Sequence, residues 1–200
     1  RKGSDFLRAG ICLEEFEWQD DVMPGRHFSE VIMYQLHVRG FTKHSSSKVK
    51  NKGMYLGIAE KIPYLKELGI NAVMLLPCYE FDEIQAVQKP HGIPAGEVSA
   101  VRTAEDEAKQ KSTVSKNDQV KLNYWGYGPS YLYAVKTAYA SRETMSAEGE
   151  FKTLVKELHK AGIECIPEMY FTGKEIQGEI LSVLRYWGVE YQVDGCHLTG

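Results

Sequence analysis

Hydrophobic positions follow two distinct patterns along this chain. A continuous apolar run occupies residues 72–77, and such a run is typical of a parallel strand that is buried on both faces. Residues 31–38, 163–170 and 192–198 are more mixed in composition and are also predicted to be strands. Apolar residues at helical spacing predict helices over about residues 56–68, 147–160 and 174–186. The pattern therefore predicts the order β-α-β-α-β-α-β, with a long interruption after the second strand.

The alternation of strands and helices predicts the fold class. Strands joined through helices form right-handed βαβ units and a parallel sheet. Four strands are too few to close a barrel, since an eight-stranded α/β barrel takes about 250 residues. We therefore predict an α/β fold for residues 30–200: a partial (β/α)8 TIM barrel with about four parallel strands and covering helices. Residues 1–29 are predicted to be an irregular lead-in segment.

An irregular insert and open sheet edges are also predicted for this partial barrel. Residues 78–122 show no clear periodicity and are predicted to be an irregular insert, either a functional loop or a disordered one. The first and fourth strands would leave open parallel edges, and exposed edges recruit partners. We therefore expect either self-association or pairing with the remainder of a barrel.

Composition and charge exclude several classes of partner. The net charge of −3 supplies no basic surface for nucleic acid. No apolar run approaches the ~20 residues of a membrane span, and the first residues lack a signal-peptide core. The four cysteines, at positions 12, 78, 165 and 196, form no C-x-x-C pair. We therefore expect a cytoplasmic protein with buried, reduced thiols, no metal and no cofactor, and no contact with nucleic acid or membrane.

Several long motifs point to one enzyme family. They include V-I-M-Y-Q-L-H-V-R-G-F-T-K-H at 31–44, N-Y-W-G-Y-G-P at 123–129 and F-K-T-L-V-K-E-L-H-K-A-G-I-E at 151–164. Over residues 28–200 the chain resembles the α-amylase superfamily, glycoside hydrolase family 13, and above all its isoamylase, pullulanase and glycogen-debranching branch. The resemblance implies a barrel with an α-glucan site at the carboxyl ends of its strands. It also implies retaining hydrolysis of α-1,4 or α-1,6 bonds.

The catalytic motif of the family is altered in this chain. Its fourth strand carries a motif like D-G-F-R-F-D, which ends on the nucleophile, whereas residues 194–199 read D-G-C-H-L-T. The resemblance thus puts His197 at the arginine and Thr199 at the nucleophile. A retaining glycosidase needs two carboxylates about 5–5.5 Å apart. Threonine has no ionised oxygen at neutral pH, so we assign no catalytic residue.

A second motif and an aromatic segment supply candidate binding residues. Residues 168–173, E-M-Y-F-T-G, stand where the family has a motif like D-V-V-Y-N-H, so Glu168 replaces the aspartate and Gly173 the sugar-binding histidine. Tyr127 matches the residue that stacks on the innermost sugar. The candidate substrate-binding residues are Tyr124, Trp125, Tyr127, Glu168 and His197.

Each candidate also has a purely structural interpretation. The aromatic segment could simply pack at the barrel mouth, Glu168 could keep a salt bridge, and His197 could pack at a strand end. The hydroxyl of Thr199 is expected to bond to backbone. Glu164 and Glu168 would share a strand face, but about 13 Å apart, too far for a retaining pair.

Three functional hypotheses follow. The chain is a glycosidase relative that is inactive as it stands, or a non-catalytic subunit that binds or scaffolds α-glucan, or a structural fragment that needs the rest of a barrel. Aromatic residues that survive without catalytic carboxylates favour binding over turnover.

Overall fold

The computed structural model describes residues 15–85, 121–128, 130–141, 143 and 145–200. The expectations for residues 1–14 and 86–120 lie outside this part. The chain divides into two compact units, Arg1–Cys12 with Glu83–Asn123, and Leu13–Asp82 with Tyr124–Gly200. In the smaller unit the described residues form a short antiparallel pair of strands.

The described helices and strands follow the predicted order, with additions. In chain order they are β1 (Met33–Leu36), α1 (Val38–Lys43), α2 (Tyr55–Ala59), α3 (Ile62–Glu67), β2 (Ala72–Leu75), β3 (Tyr79–Phe81), β4 (Ile84–Gln85), β5 (Lys121–Leu122), β6 (Ser130–Val135), α4 (Ala147–Lys160), β7 (Glu164–Tyr170), α5 (Gln177–Glu190) and β8 (His197–Thr199). Strands β1, β2, β7 and β8 form one parallel sheet in that order. The predicted α/β fold of four parallel strands is thereby confirmed.

The register of this sheet separates two faces. Residues Val73, Leu75, Cys165 and Met169 are fully buried on the face that the helices cover. Gln35, Met74 and Ile166 pair in register on the opposite face, which we call the inner face. Glu168 and His197 are paired on that same face because strand side chains alternate.

Helices α4 and α5 supply much of the core. Ser146 caps α4, because its hydroxyl accepts a hydrogen bond from the backbone N–H of Gly149 at 3.0 Å. The helix buries Phe151, Leu154 and Leu158. It ends before Gly162, whose φ of +73° suits glycine. None of the helices in the described ranges has the length and hydropathy needed to cross a bilayer.

The helix predicted over residues 56–68 is wrong in one respect, because the structure has two short helices there. Pro63 lies in the first turn of α3. Proline has no backbone N–H, so the hydrogen bond back to Ala59 cannot form and α2 ends. The carboxylate of Glu60, at the break, instead accepts hydrogen bonds from the backbone of Lys50 and Asn51 at 2.8 and 2.9 Å.

Several predicted boundaries are also corrected. The first strand ends at Leu36, since the ring of His37 caps α1 by accepting from the N–H of Gly40 at 3.0 Å. The third predicted helix begins and ends later, at Gln177 and Glu190. The fourth strand, predicted over 192–198, begins later and ends one residue later, at His197–Thr199.

The predicted insert is irregular over less of its length than expected. It opens with β3, which pairs antiparallel with β6 in a separate two-stranded sheet. Lys136 stabilises this sheet, because its ammonium contacts the carboxylate of Glu80 and the carbonyl of Phe81, each at 2.6 Å. No hydrophobic pattern over these residues predicts this pairing.

Candidate functional site

Glu168 lies at the centre of a polar cluster near the carboxyl ends of the parallel strands. Its side chain is only 2% exposed. One carboxylate oxygen accepts a hydrogen bond from the hydroxyl of Tyr127 at 2.6 Å, and the other accepts from the amide of Gln35 at 2.9 Å. The Nδ1 atom of His197 lies 3.6 Å from the second oxygen. The carboxylate thus joins β1, β7, β8 and the segment after the insert.

Tyr127 combines a fixed hydroxyl with an accessible ring. The residue is 38% exposed, and its ring packs edge-on against Tyr170 at 5.4 Å between centroids. Burial, and next the hydrogen bond to the negative Glu168, raise the pKa of Tyr127 to about 12. The hydroxyl therefore stays protonated at neutral pH and continues to donate to the carboxylate. An exposed aromatic face held in this way can stack on a sugar ring.

Tyr124 and Trp125 form a second aromatic group around His37. The Nδ1 atom of His37 accepts from Gly40, so Nε2 carries the hydrogen and donates to the carbonyl of Tyr124 at 2.9 Å. The rings of His37 and Tyr124 are stacked at 4.2 Å with 6° between their planes. Trp125 packs edge-on against both rings and is 52% exposed.

Thr199 stands at the end of β8, in register with Tyr170. Its carbonyl accepts from the N–H of Phe171 at 2.8 Å, but its side-chain hydroxyl is shielded from solvent. Among the described residues that hydroxyl has no hydrogen-bond partner, so the expectation that it bonds to backbone is wrong. The side chain points to the inner face, whereas the hydrogen bonds between strands pair the backbone groups within the plane of the sheet.

Carboxylates are scarce on the inner face. Among the described strand residues of the parallel sheet, only Glu164 and Glu168 are acidic. They lie four residues apart on β7, hence about 13 Å apart at the rise of a strand. In the described part of the chain, no group of three or more His, Cys, Asp or Glu side chains is arranged to hold a metal ion.

Comparisons of the sequence identify its relatives. No family model matches the chain. The chain is 34% identical over 184 residues to the chloroplastic isoamylase 1 of Arabidopsis thaliana, covering 90% of this chain and 20% of that protein. It is 36% identical over 167 residues to a glycogen operon protein GlgX homolog of Haemophilus influenzae, covering 82% of this chain and 21% of that protein. The chain is a homologue of isoamylase-type debranching proteins of the α-amylase superfamily.

Solved structures show the same fold. The chain superimposes on pullulanase type I from Bacillus subtilis with a TM-score of 0.65, at 21% identity, over 94% of this chain and 30% of that one. Pullulanase from Paenibacillus barengoltzii gives a TM-score of 0.64 at 20% identity, over 90% and 32%. The chain thus spans about a fifth of the length of the curated debranching relatives and about a third of these solved chains.

Within this debranching-family fold, the structure brings together some predicted site residues and separates others. Tyr127, Glu168 and His197 converge on one carboxylate. Tyr124 and Trp125 belong instead to the group around His37. Gln35 is not among the residues predicted for the site. Its signal was a polar residue at an alternate position within the apolar run 31–38, which is the position of an inward-facing side chain.

Gly126 lies between Trp125 and Tyr127, which belong to the two different aromatic groups. Gly126→Ala is expected to destabilise the chain by at least about 2 kcal/mol. Its φ is +82°, and a Cβ there would lie 2.6 Å from the ring of Phe81 and 2.9 Å from Pro77. The measurement is urea unfolding followed by circular dichroism. Gly188→Ala on α5 is the control, because a Cβ there meets no atom within 4 Å and alanine favours helix. Equal stabilities for the two variants would contradict the prediction.

Proposed function

We propose that this debranching-family chain binds α-glucan in the setting of glycogen or starch metabolism and does not hydrolyse it. The observation that carries the proposal is the pairing of an accessible Tyr127 ring, anchored on Glu168, with a threonine at the position of the nucleophile. The proposal therefore keeps a surface for binding the sugar but lacks the carboxylate nucleophile that would form the glycosyl-enzyme intermediate.

The binding half of the proposal rests on the aromatic and polar character of the strand ends. Tyr127 and Trp125 present partly exposed rings, and Glu168 and His197 supply an acceptor and a titratable ring beside one of them. Sugars are bound by aromatic faces for their apolar C–H surface and by polar groups for their hydroxyls. The two pullulanases named above were solved with maltose, and with maltohexaose and α-cyclodextrin, respectively.

The inactive half rests on Thr199 and on the surroundings of Glu168. A glycosyl ester needs an ionised carboxylate at the anomeric carbon, and Thr199 offers only a shielded hydroxyl. Glu168 is buried and already accepts two hydrogen bonds. Glu164 lies too far along β7 to form a retaining pair with it.

Two further expectations belong to this proposal. Self-association, or pairing with the remainder of a barrel, stays a prediction that follows from the open edges of β1 and β8. A cytoplasmic location also stays a prediction. The plant relative is named chloroplastic, and that name applies to the plant protein.

The proposal is tested by calorimetric titration of the purified chain with maltoheptaose, beside a reducing-sugar assay on the same mixture. We expect measurable heat of binding and no release of sugar. Tyr127→Ala is expected to weaken binding by roughly tenfold, because loss of one stacking aromatic costs on the order of 1 kcal/mol or more.

Tyr64→Ala is the matched control for this titration. Tyr64 is a comparably exposed tyrosine on α3, and it contacts the side chain of Lys61 rather than the site. Its replacement is expected to leave the affinity unchanged. Sugar release above the level of a no-protein blank would overturn the inactive half of the proposal, and absence of heat with all variants would overturn the binding half.

A further inference from the structure

A buried Asp–His–Asp cluster lies at the opposite end of the parallel sheet from the candidate site around Glu168. It joins Asp21 of the lead-in segment, His159 in the last turn of α4 and Asp194 just before β8. The Nδ1 atom of His159 lies 2.7 Å from a carboxylate oxygen of Asp21, and Nε2 lies 3.0 Å from one of Asp194. All three side chains are almost completely buried.

The geometry of this cluster requires a doubly protonated ring. Ionised carboxylates only accept hydrogen bonds, so a ring that bonds to one on each side must carry hydrogen on both nitrogens. The same oxygen of Asp194 also accepts from the backbone N–H of Cys165 at 2.7 Å. The remaining oxygens of Asp21 and Asp194 are buried without a partner among the described residues. His159 is thus the cation that compensates both carboxylates.

We propose that His159 is a pH-sensitive latch that holds the described part of the lead-in segment, residues 15–29, against the starts of β7 and β8. In its protonated form the ring joins the segment to both strands. When the ring loses a proton, one nitrogen presents a lone pair to a buried carboxylate oxygen and the pair becomes repulsive. In either neutral tautomer the cluster loses the positive charge that compensates Asp21.

The other contacts of the segment do not depend on a proton near neutral pH. The ammonium of Lys156 donates to the carbonyl of Glu17 at 2.8 Å. The backbone N–H of Arg26 donates to Glu164 at 2.8 Å, and its guanidinium to the carbonyl of Gly162 at 2.9 Å. Lysine and arginine titrate far above neutral pH. On β7, burial raises the pKa of the Cys165 thiol well above its usual range, so it stays neutral.

The direction of the pH dependence follows from the environment of His159. Burial by itself would lower its pKa, but the hydrogen bonds and negative charges of Asp194 and Asp21 outweigh burial and raise it. With the segment released, the ring keeps Asp194 but loses the hydrogen bond and the negative charge of Asp21, so its pKa is lower than in the docked state. Docking is therefore fully stabilised at pH values below the pKa of the released form and weakens, by up to about tenfold per pH unit, until the raised pKa of the docked form is passed.

The test uses the purified chain and two measurements across pH 5.5 to 9. Nuclear magnetic resonance follows the ring proton shifts of the histidines. We expect His159 to titrate above the ordinary histidine pKa near 6.5. Hydrogen exchange of the lead-in amides, corrected for intrinsic rates, is expected to lose protection by at least tenfold over the same interval.

Three variants separate a latch from a merely structural contact. His159→Gln keeps one donor without a titrating group, so protection should be lower and independent of pH. Asp21→Asn, which removes only the carboxylate on the segment, should do the same if the glutamine variant fails to fold. Lys156→Ala is the matched control, since it should lower protection equally at every pH and leave the pH dependence intact.

The outcomes are decisive in both directions. A pKa of His159 at or below the ordinary histidine value near 6.5, or exchange that stays constant with pH in the unaltered chain, would overturn the proposal. Retention of the full pH dependence in both His159→Gln and Asp21→Asn would overturn it as well. None of these readouts involves glucan, so the latch and the proposed binding function stand or fall separately.

Discussion

Trp187→Ala is expected to lower the free energy of unfolding by about 3–5 kcal/mol, the largest stability effect foreseen for the chain. Trp187 is fully buried on α5 and packs against Phe151 and Tyr191, with ring centroids 5.4 and 4.8 Å away. Its indole N–H donates to the carbonyl of Leu132 at 2.6 Å. Alanine therefore leaves both a cavity and an unpaired carbonyl on β6. A domain has only about 5–15 kcal/mol to lose.

The measurement is urea unfolding followed by far-ultraviolet circular dichroism, with the midpoint shifted at unchanged slope. Leu181→Ala is the matched control on the same helix. Leu181 is 60% exposed, so its replacement is expected to change stability by no more than about 0.5 kcal/mol. A loss below 1 kcal/mol for Trp187→Ala would show that α5 does not anchor β6 as the contacts indicate.

The parallel sheet could be predicted from the sequence because its strands are buried on one face by helices and read as apolar runs. Val73 and Leu75 are fully buried, as the run 72–77 indicates. The ends of the strands and helices are harder to predict, because single side chains decide them. The ring of His37 turns the end of one run into a helix cap, and Pro63 divides one apolar stripe between two helices. Neither effect changes the hydrophobic period.

The candidate site was predictable only where a motif marked it. Tyr127 and Glu168 stand in recognisable motifs, whereas Gln35 carries only the weak signal of a polar residue in an apolar run. The cluster at His159 could not be foreseen. Its partners are 138 and 35 residues away in the chain, and no local pattern states that they meet. Such contacts follow from the packing of distant segments against the sheet, not from spacing along the chain.

Glu168→Ala is expected to reduce affinity for maltoheptaose by more than tenfold and the free energy of unfolding by about 1–3 kcal/mol. The carboxylate is the acceptor for both Tyr127 and Gln35. Alanine leaves the Tyr127 hydroxyl and the Gln35 amide without this acceptor. The Tyr127 ring also loses the hydrogen bond that fixes its orientation. Titration calorimetry and urea unfolding measure the two effects on the same preparation.

Glu168→Gln separates the shape of this side chain from its charge. Its amide carbonyl can still accept from the Tyr127 hydroxyl, so we expect most of the affinity to remain. The negative charge is gone, however, and the pKa of Tyr127 should fall from about 12 towards the ordinary value near 10. An ultraviolet difference titration of the phenolate follows it, with Tyr127→Phe identifying the transition. An unchanged pKa would mean that burial alone raises it.

Glu164→Ala supplies the comparison that isolates the site. Glu164 is also buried, lies on the same strand and face as Glu168, and accepts a hydrogen bond from the backbone of Arg26. Its loss should destabilise the chain, because the backbone N–H of Arg26 then loses its buried acceptor. The affinity for maltoheptaose should stay unchanged. If both variants lose affinity together, the loss reports damage to the fold. If only Glu168→Ala loses it, the anchored Tyr127 ring is the binding surface.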